Sequence, residues 1–236
     1  MSPHPLRRRT LAEFLGAGML VTVVVGSGIA AQQLSADIGL QLLDNALATA
    51  MGLGVLIVLL ASVSGAHFNP VVSLAIAVLE HRSPKRMPMR ELAAYIPAQI
   101  AGGIGGAALA NAMFDVPTSL STTDRATPAT FLAEVVATAG LVLVITGLIR
   151  VGQSIAVIAT AVGCYIGAAY WFTSSTSFAN PAVTIGRVFT DTFAGIAPAS
   201  VLPFLLAQVL GACVAVGLVM LLFPQRVANA SRLSDR

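Results

Sequence analysis

Asn-Pro occurs twice in this chain, at Asn69-Pro70 and Asn180-Pro181, each time at the end of a long stretch without Lys, Arg, Asp or Glu. Proline is tolerated in the first turn of a helix, where its missing N–H costs nothing, and asparagine is a strong N-cap. Each copy therefore reads as a helix that starts abruptly in apolar surroundings. The surroundings are those of a membrane. Of 236 residues 56% are hydrophobic and only 10% charged, against about 25% charged in a soluble domain. A helix start within a bilayer leaves N–H groups and a positive dipole end unanswered, so it must face a polar lumen or a ligand.

Crossing a bilayer takes roughly 20 apolar residues. Six stretches qualify: about 11–31, 46–64, 91–113, 129–149, 154–172 and 200–223. Two further apolar pieces, 69–79 and 180–190, are too short to span, and both begin with Asn-Pro. The fold class is an all-α membrane protein of six transmembrane helices and two re-entrant half-helices.

The halves repeat. Ala12-Glu13 is matched by Ala133-Glu134, Asn69-Pro70 by Asn180-Pro181, and Ala98-Gln99 with Gly102 by Ala207-Gln208 with Gly211, in the same order. Three spans per half invert the second copy, giving repeats over about 8–113 and 129–224 joined by a polar linker, 114–128. Together they read as one transmembrane domain over 1–236. Dense glycines, at Gly102, Gly106, Gly163, Gly167 and Gly211, mark close helix packing.

Basic residues set the orientation. Arg7, Arg8, Arg9, Arg82, Lys85, Arg86, Arg90, Arg150, Arg226, Arg232 and Arg236 fall on one side; Arg125 and Arg187 fall on the other. Both termini are expected in the cytoplasm, and the first apolar run is expected to be retained rather than cleaved. Short tails without sorting signals suggest a bacterial inner membrane. Cys164 and Cys213 lie in apolar runs and read as small hydrophobes. No metal spacing and no phosphate loop occur, so no cofactor and no nucleic-acid partner are expected.

The paired motifs, the six-plus-two arrangement, the helix-opening glutamates and the run His67-Phe68-Asn69-Pro70 resemble the aquaporin and aquaglyceroporin family, the major intrinsic proteins, over about residues 8–224. The resemblance implies a channel for small neutral solutes and water, and a homotetramer with one pore per subunit. Asn69 and Asn180 would cap their helices through the carbonyl oxygen and turn their amide N–H groups to the solute. Pro70, Val71, Pro181 and Ala182 would lock the two starts together. The non-helical stretches before them, with Gly65, Ala66, His67, Ser175 and Thr176, would offer backbone carbonyls to the lumen. His67 reads either as a lumen residue or as a packed loop residue, and the family pattern favours the lumen. Glu13, Glu134, Gln99 and Gln208 read as structural hydrogen-bonding residues, a proton relay being the alternative for the glutamates.

One position departs from the pattern. Where water channels of the family carry Arg after the second Asn-Pro-Ala, this chain has Val183. The other constriction positions fall on Thr49, Ala168 and Ser177. Such a filter should be wide, passing glycerol-like polyols or metalloid hydroxides such as arsenite. Val at this place resembles bacterial aquaglyceroporins associated with arsenic resistance. Arg187, one turn beyond Val183, either supplies a displaced positive charge to the outer vestibule or snorkels to the interface. The competing readings are a water-selective aquaporin, a secondary transporter built on inverted repeats, and an intramembrane enzyme, for which His67 would be the only histidine within the membrane region.

Overall fold

The computed structural model describes residues 4–81, 83 and 86–224. Arg82, Lys85, Arg226, Arg232 and Arg236, counted in the charge asymmetry, lie outside the described residues. The described residues form eight α-helices: α1 (Leu6–Leu34), α2 (Ile38–Ser64), α3 (Pro70–Leu79), α4 (Met89–Met113), α5 (Pro128–Arg150), α6 (Ile155–Phe172), α7 (Pro181–Gly186) and α8 (Pro198–Leu222). Six of them are long and apolar enough to cross a membrane. The two that begin with Asn-Pro, α3 and α7, are too short.

Three boundaries differ from the sequence expectation, each for a local reason. The second span begins at Ile38 rather than 46, because Asp37 accepts a hydrogen bond from the Leu40 amide at 3.0 Å and caps the helix. Polar Asn45 is then tolerated inside it, donating to the Val24 carbonyl at 2.7 Å and to Ser27 Oγ at 2.9 Å. The first span begins at Leu6 rather than 11, taking Arg7–Arg9 into its opening turns; buried Arg9 pairs with Glu91 at 2.5 Å. The second half-helix is α-helical only over Pro181–Gly186 and finishes as a 3₁₀ turn, Arg187–Phe189.

Close helix crossings hold the bundle together. A Cβ on Gly102 would collide with the Phe14 carbonyl oxygen, and one on Gly106 with that of Gly18, so α1 and α4 touch backbone to backbone. Gly211 lets α8 approach Val135 of α5 in the same manner, and Gly163 lets α6 approach Ala50 of α2. Such small-residue contacts are how helices associate in lipid, where burial of apolar surface gives no net drive. Large apolar side chains face outward instead: Leu11, Leu59, Leu132, Leu202 and Leu221 are all exposed. Cys164 and Cys213 are free and exposed on the same outer surface.

Candidate functional site: a lumen between two half-helices

The chain must turn sharply before each half-helix, and it does so twice in the same way. Gly65, Ala66 and Phe68 have φ of 95°, 54° and 49°; Thr176, Ser177 and Ala179 have 59°, 51° and 47°. Left-handed non-glycine residues cost about 1–3 kcal/mol each and persist only where the surroundings fix them. Here a buried glutamate fixes each loop. Glu13 accepts from Ser64 Oγ (2.6 Å), His67 N (3.0 Å), Phe68 N (2.7 Å) and Gln99 Nε2 (2.7 Å). Glu134 accepts from Ser175 Oγ (2.7 Å), Phe178 N (2.8 Å), Ala179 N (2.9 Å) and Gln208 Nε2 (2.7 Å). The two glutamines brace the half-helices as well, reaching Ser73 Oγ at 3.0 Å and Thr184 Oγ1 at 2.8 Å.

The asparagines then join the halves. Asn69 Oδ1 caps Val71 N at 3.0 Å, while its Nδ2 donates to the Ala179 carbonyl at 2.8 Å. Asn180 Oδ1 caps Ala182 N at 2.9 Å, and its Nδ2 donates to the Phe68 carbonyl at 2.8 Å. Each amide has two N–H donors, so one ties the opposite loop and the other is left for the space between. Pro70, Val71, Pro181 and Ala182 are buried behind this junction. A Cβ on Gly103 would strike the Ala182 carbonyl, which explains how tightly α7 is seated on α4.

A narrow cavity runs past the junction. Its volume is about 50 Å³, above the roughly 10–15 Å³ that a cavity needs to hold a water. Asn69, Asn180, His67, Thr49, Ser177 and Tyr170 supply its polar edge. Leu20, Val24, Leu141, Ile145, Val162 and Ile166 supply an apolar wall. Among the described residues the carbonyls of 65–67 and 176–178 accept no hydrogen bond. The cavity shares His67 with a vestibule of about 230 Å³ on the side of the chain termini, lined also by Arg9 and Glu91. It shares Arg187 with a vestibule of about 460 Å³ on the side of the linker. The three spaces lie in series.

The four residues expected at the constriction do not all reach the narrow cavity. Thr49, Ser177 and Val183 do line the narrow cavity. Ala168 does not: it is exposed on the outer face of α6, whose inward residues are Val162, Ile166 and Tyr170. Tyr170 Oη lies 3.1 Å from Thr49 Oγ1, so a phenol stands where a small side chain was expected. Ser177 Oγ is buried without a hydrogen-bond partner. Ser175 points to Glu134 rather than to the cavity, Thr176 lines the linker-side vestibule, and Gly65 the termini-side one.

Arg187 does not snorkel. It is 2% exposed, its Nε donates to the Ala194 carbonyl, and its guanidinium carbon lies 3.5 Å from the Phe178 ring centroid. The linker brings a second cation that sequence reasoning missed. Arg125 donates to the carbonyls of Gly195 (2.6 Å) and Phe193 (2.7 Å) and lies 5.5 Å from the same ring. Burial draws its pKa below the ordinary arginine value. The linker is pinned onto the loop that follows the second half-helix: Ser121 N donates to the Val188 carbonyl at 2.8 Å and Ala197 N to that of Thr123 at 2.7 Å.

Comparison with known proteins decides the family. The family model described as "Major intrinsic protein" matches residues 2–177. The chain belongs to the major intrinsic protein family. A relative in this family, aquaglyceroporin AqpS of Rhizobium meliloti strain 1021, is 49% identical over 228 residues, covering 96% of this chain and 95% of that protein. The glycerol uptake facilitator protein of Pseudomonas aeruginosa is 34% identical over 114 residues, 48% of this chain and 38% of its own length. Among solved structures, the aquaglyceroporin from Plasmodium falciparum superposes with a TM-score of 0.70 at 19% identity, covering 95% of this chain and 98% of that one. Major intrinsic proteins are passive channels, and this chain is not an enzyme.

Proposed function

We propose that the chain passes small neutral hydroxylated solutes, glycerol-like polyols and metalloid hydroxides such as arsenite, together with water, down their gradients. The observation that carries this reading is the two-sided lumen. A polyol has hydroxyls along one edge and C–H groups along the other. The second N–H of Asn69 and of Asn180 and the unpaired carbonyls of 65–67 and 176–178 meet the hydroxyls, while Leu20, Val24, Leu141, Val162 and Ile166 meet the carbon skeleton. Trihydroxy metalloid acids are uncharged near neutral pH and present hydroxyls in the same manner. Thr49, Tyr170, Ser177 and Val183 form the filter, and the unpartnered hydroxyl of Ser177 is a ready partner for a passing solute. Val183 leaves room that an arginine at that position would fill. A 49% identical relative named as an aquaglyceroporin supports the solute class.

Cations are opposed by the N-terminal ends of α3 and α7, both of which face the junction. Glu13 and Glu134, fully buried with four donors each, serve as loop anchors, not as a proton relay. The inverted repeats extend over about 8–113 and 129–224, with 114–128 between them. Both termini lie in the cytoplasm of a bacterial cell, and the protein assembles as a homotetramer in the inner membrane, its outward leucines facing lipid and neighbouring subunits.

Stopped-flow light scattering on proteoliposomes tests the reading. Glycerol should equilibrate at least about tenfold faster than through empty liposomes, with a low activation energy and no dependence on ion or proton gradients. Water permeation without glycerol permeation would convert the protein to a water-selective channel. Gradient-dependent uptake would convert it to a secondary transporter.

A further inference from the structure

We infer that the linker-side vestibule is a binding site for a small oxyanion, a carboxylate or the conjugate base of an oxyacid, held between Arg125 and Arg187. The inference rests on reading this vestibule as the mouth of the lumen.

Two guanidiniums approach one aromatic ring there, at 3.5 and 5.5 Å from the Phe178 centroid, and both line the same cavity of about 460 Å³. Among the described residues neither is paired with a carboxylate. One carboxylate, Asp191, lines the same cavity, but it and neighbouring Asp124 are hydrogen-bonded to other groups. Asp191 accepts from the Thr122 amide at 2.9 Å and its hydroxyl at 3.1 Å, and Asp124 from Ser200 Oγ at 2.5 Å. The termini-side vestibule makes the contrast. Its lining arginine, Arg9, is neutralised by Glu91 at 2.5 Å.

A structural role alone does not account for this. Holding the 193–195 loop uses Nε and Nη2 of Arg125 and Nε of Arg187. A guanidinium carries five N–H donors in a rigid fork, so N–H groups on both arginines remain without a protein acceptor. Two like charges close together in a half-dry pocket repel each other and lose hydration, and an anion offsets both penalties. A two-oxygen monoanion fits best, because one oxygen can face each fork or both can face one. Thr123, Thr176 and Gln32 add polar lining, and Ile38, Leu42 and Phe193 an apolar side that suits a small organic acid. The anion does not pass further. The lumen below is narrow and walled by Leu20, Val24, Val162 and Ile166, where an unpaired charge is strongly disfavoured. A bound oxyanion therefore blocks the mouth and slows the neutral solute from that side alone.

The test uses ¹³C-formate as probe and the full chain in lipid nanodiscs. Saturable formate binding, read by NMR line broadening in the millimolar range, is expected for the wild type, with no comparable binding of neutral formamide. Arg187→Gln retains a donor for the Ala194 carbonyl and should weaken formate binding about tenfold or more, the scale of a lost charge-assisted bidentate contact. Arg125→Gln, on the linker and independent of the half-helix, should weaken it as well, so the site remains testable if one variant fails to fold. In proteoliposomes, formate added on the linker side should slow glycerol flux, and formate on the other side should not. Absence of saturable formate binding, equal binding by both variants and wild type, or equal binding of formamide would overturn the site. Formate binding without any glycerol flux would overturn the proposed solute and leave the site standing.

Discussion

The two half-helix loops are built on one frame and finished differently. In both, a fully buried glutamate takes two backbone amides, a serine hydroxyl and a glutamine amide, and an asparagine crosses to the opposite loop. Even the ring that backs each loop is in register. His67 packs edge-on against Tyr95, centroids 5.6 Å apart at 74°, and Phe178 against Phe204, 5.1 Å apart at 71°. What differs is polarity. The first pair is wired: Tyr95 Oη donates to the Ser64 carbonyl at 2.8 Å, and His67 Nδ1 lies 3.0 Å from Ser73 Oγ. The second pair is hydrocarbon, and two arginines cover it. The shared frame sets where the chain turns; the unshared side chains set what each mouth attracts.

The frame is where the largest effect is expected. In Glu13→Gln or Glu134→Gln one carboxylate oxygen becomes an NH₂ that confronts two buried donors. An unsatisfied buried donor costs about 1–3 kcal/mol, so each variant should lose about 2–5 kcal/mol. The measure is the temperature at which detergent-solubilised protein ceases to be monodisperse. Equal losses in the two variants would confirm that the loops share one support. A loss in only one would break the comparison at its base.

The proposed filter gives the next largest effect. Val183→Arg places a long cation in a lumen already flanked by Tyr170 and Arg187, and should cut glycerol permeation by about tenfold or more while sparing water, since pore diameter and lining donors set this selectivity. The same change at the equivalent point of the first half, Val72→Arg, also reaches the lumen wall. Its side chain can turn into an adjoining space of about 280 Å³, so it should slow glycerol less than Val183→Arg does. Stopped-flow rates for both solutes in all three proteins decide. Parallel losses in Val183→Arg would show that this position does not discriminate by size.

Much of this was legible in the residues, and the failures have physical causes. The half-helices were readable because Asn and Pro each have a strong positional meaning at a helix start. The paired glutamates and glutamines were readable because the repeat places them in order. Ala168 was misplaced by spacing alone. Two residues along an α-helix is about 200° of rotation, so a slip from Tyr170 to Ala168 moves the side chain from the lumen to the outer surface. Tyr170 had a signal, the four-residue step from Val162 through Ile166. Arg125 had none, since its partners Phe193 and Gly195 lie about 70 residues away, across a linker with no periodicity. The start of α2 was missed because Asn45 and Gln41 look like loop residues until their acceptors, the Val24 and Ser35 carbonyls, are known.

Converting one aromatic pair into the other sharpens the comparison at a smaller scale. Tyr95→Phe gives the first loop the ring of the second and removes one buried hydrogen bond to the Ser64 carbonyl, a loss of about 0.5–1.5 kcal/mol. Phe204→Tyr makes the reverse exchange, and its added hydroxyl enters a cluster of Phe178, Val188 and Ile196. That hydroxyl should cost about 1–3 kcal/mol unless it reaches the Ser175 carbonyl. A neutral Phe204→Tyr would mean that the second loop retains the acceptor geometry of the first and that its apolar finish is a choice about the mouth, not a requirement of the frame.

The smallest effect belongs to the linker, whose 121–126 stretch is held by the second half. Hydrogen bonds from Ser200 and the Ala126 amide hold the Asp124 carboxyl below its ordinary pKa of 3.8, and bonds from the Thr122 amide and hydroxyl do the same for Asp191. A carboxyl whose folded pKa is depressed contributes stability above its unfolded pKa and loses that contribution as pH falls through the folded value. The linker contacts should therefore be intact at pH 5 and above and weaken below about pH 4. Both groups are solvent-exposed, so the change should be local: faster amide exchange at residues 121–126 and 190–195, with α1–α6 and the Asn69–Asn180 junction unmoved. Asp191→Asn should show at pH 7 the part of the low-pH exchange pattern that belongs to the Thr122 contacts, and keep the pH response that Asp124 supplies through Ser200 and Ala126. If acid loosened the Glu13 loop as readily as the linker, the two mouths would not be independent, and the division between a common frame and separately tuned entrances would fail.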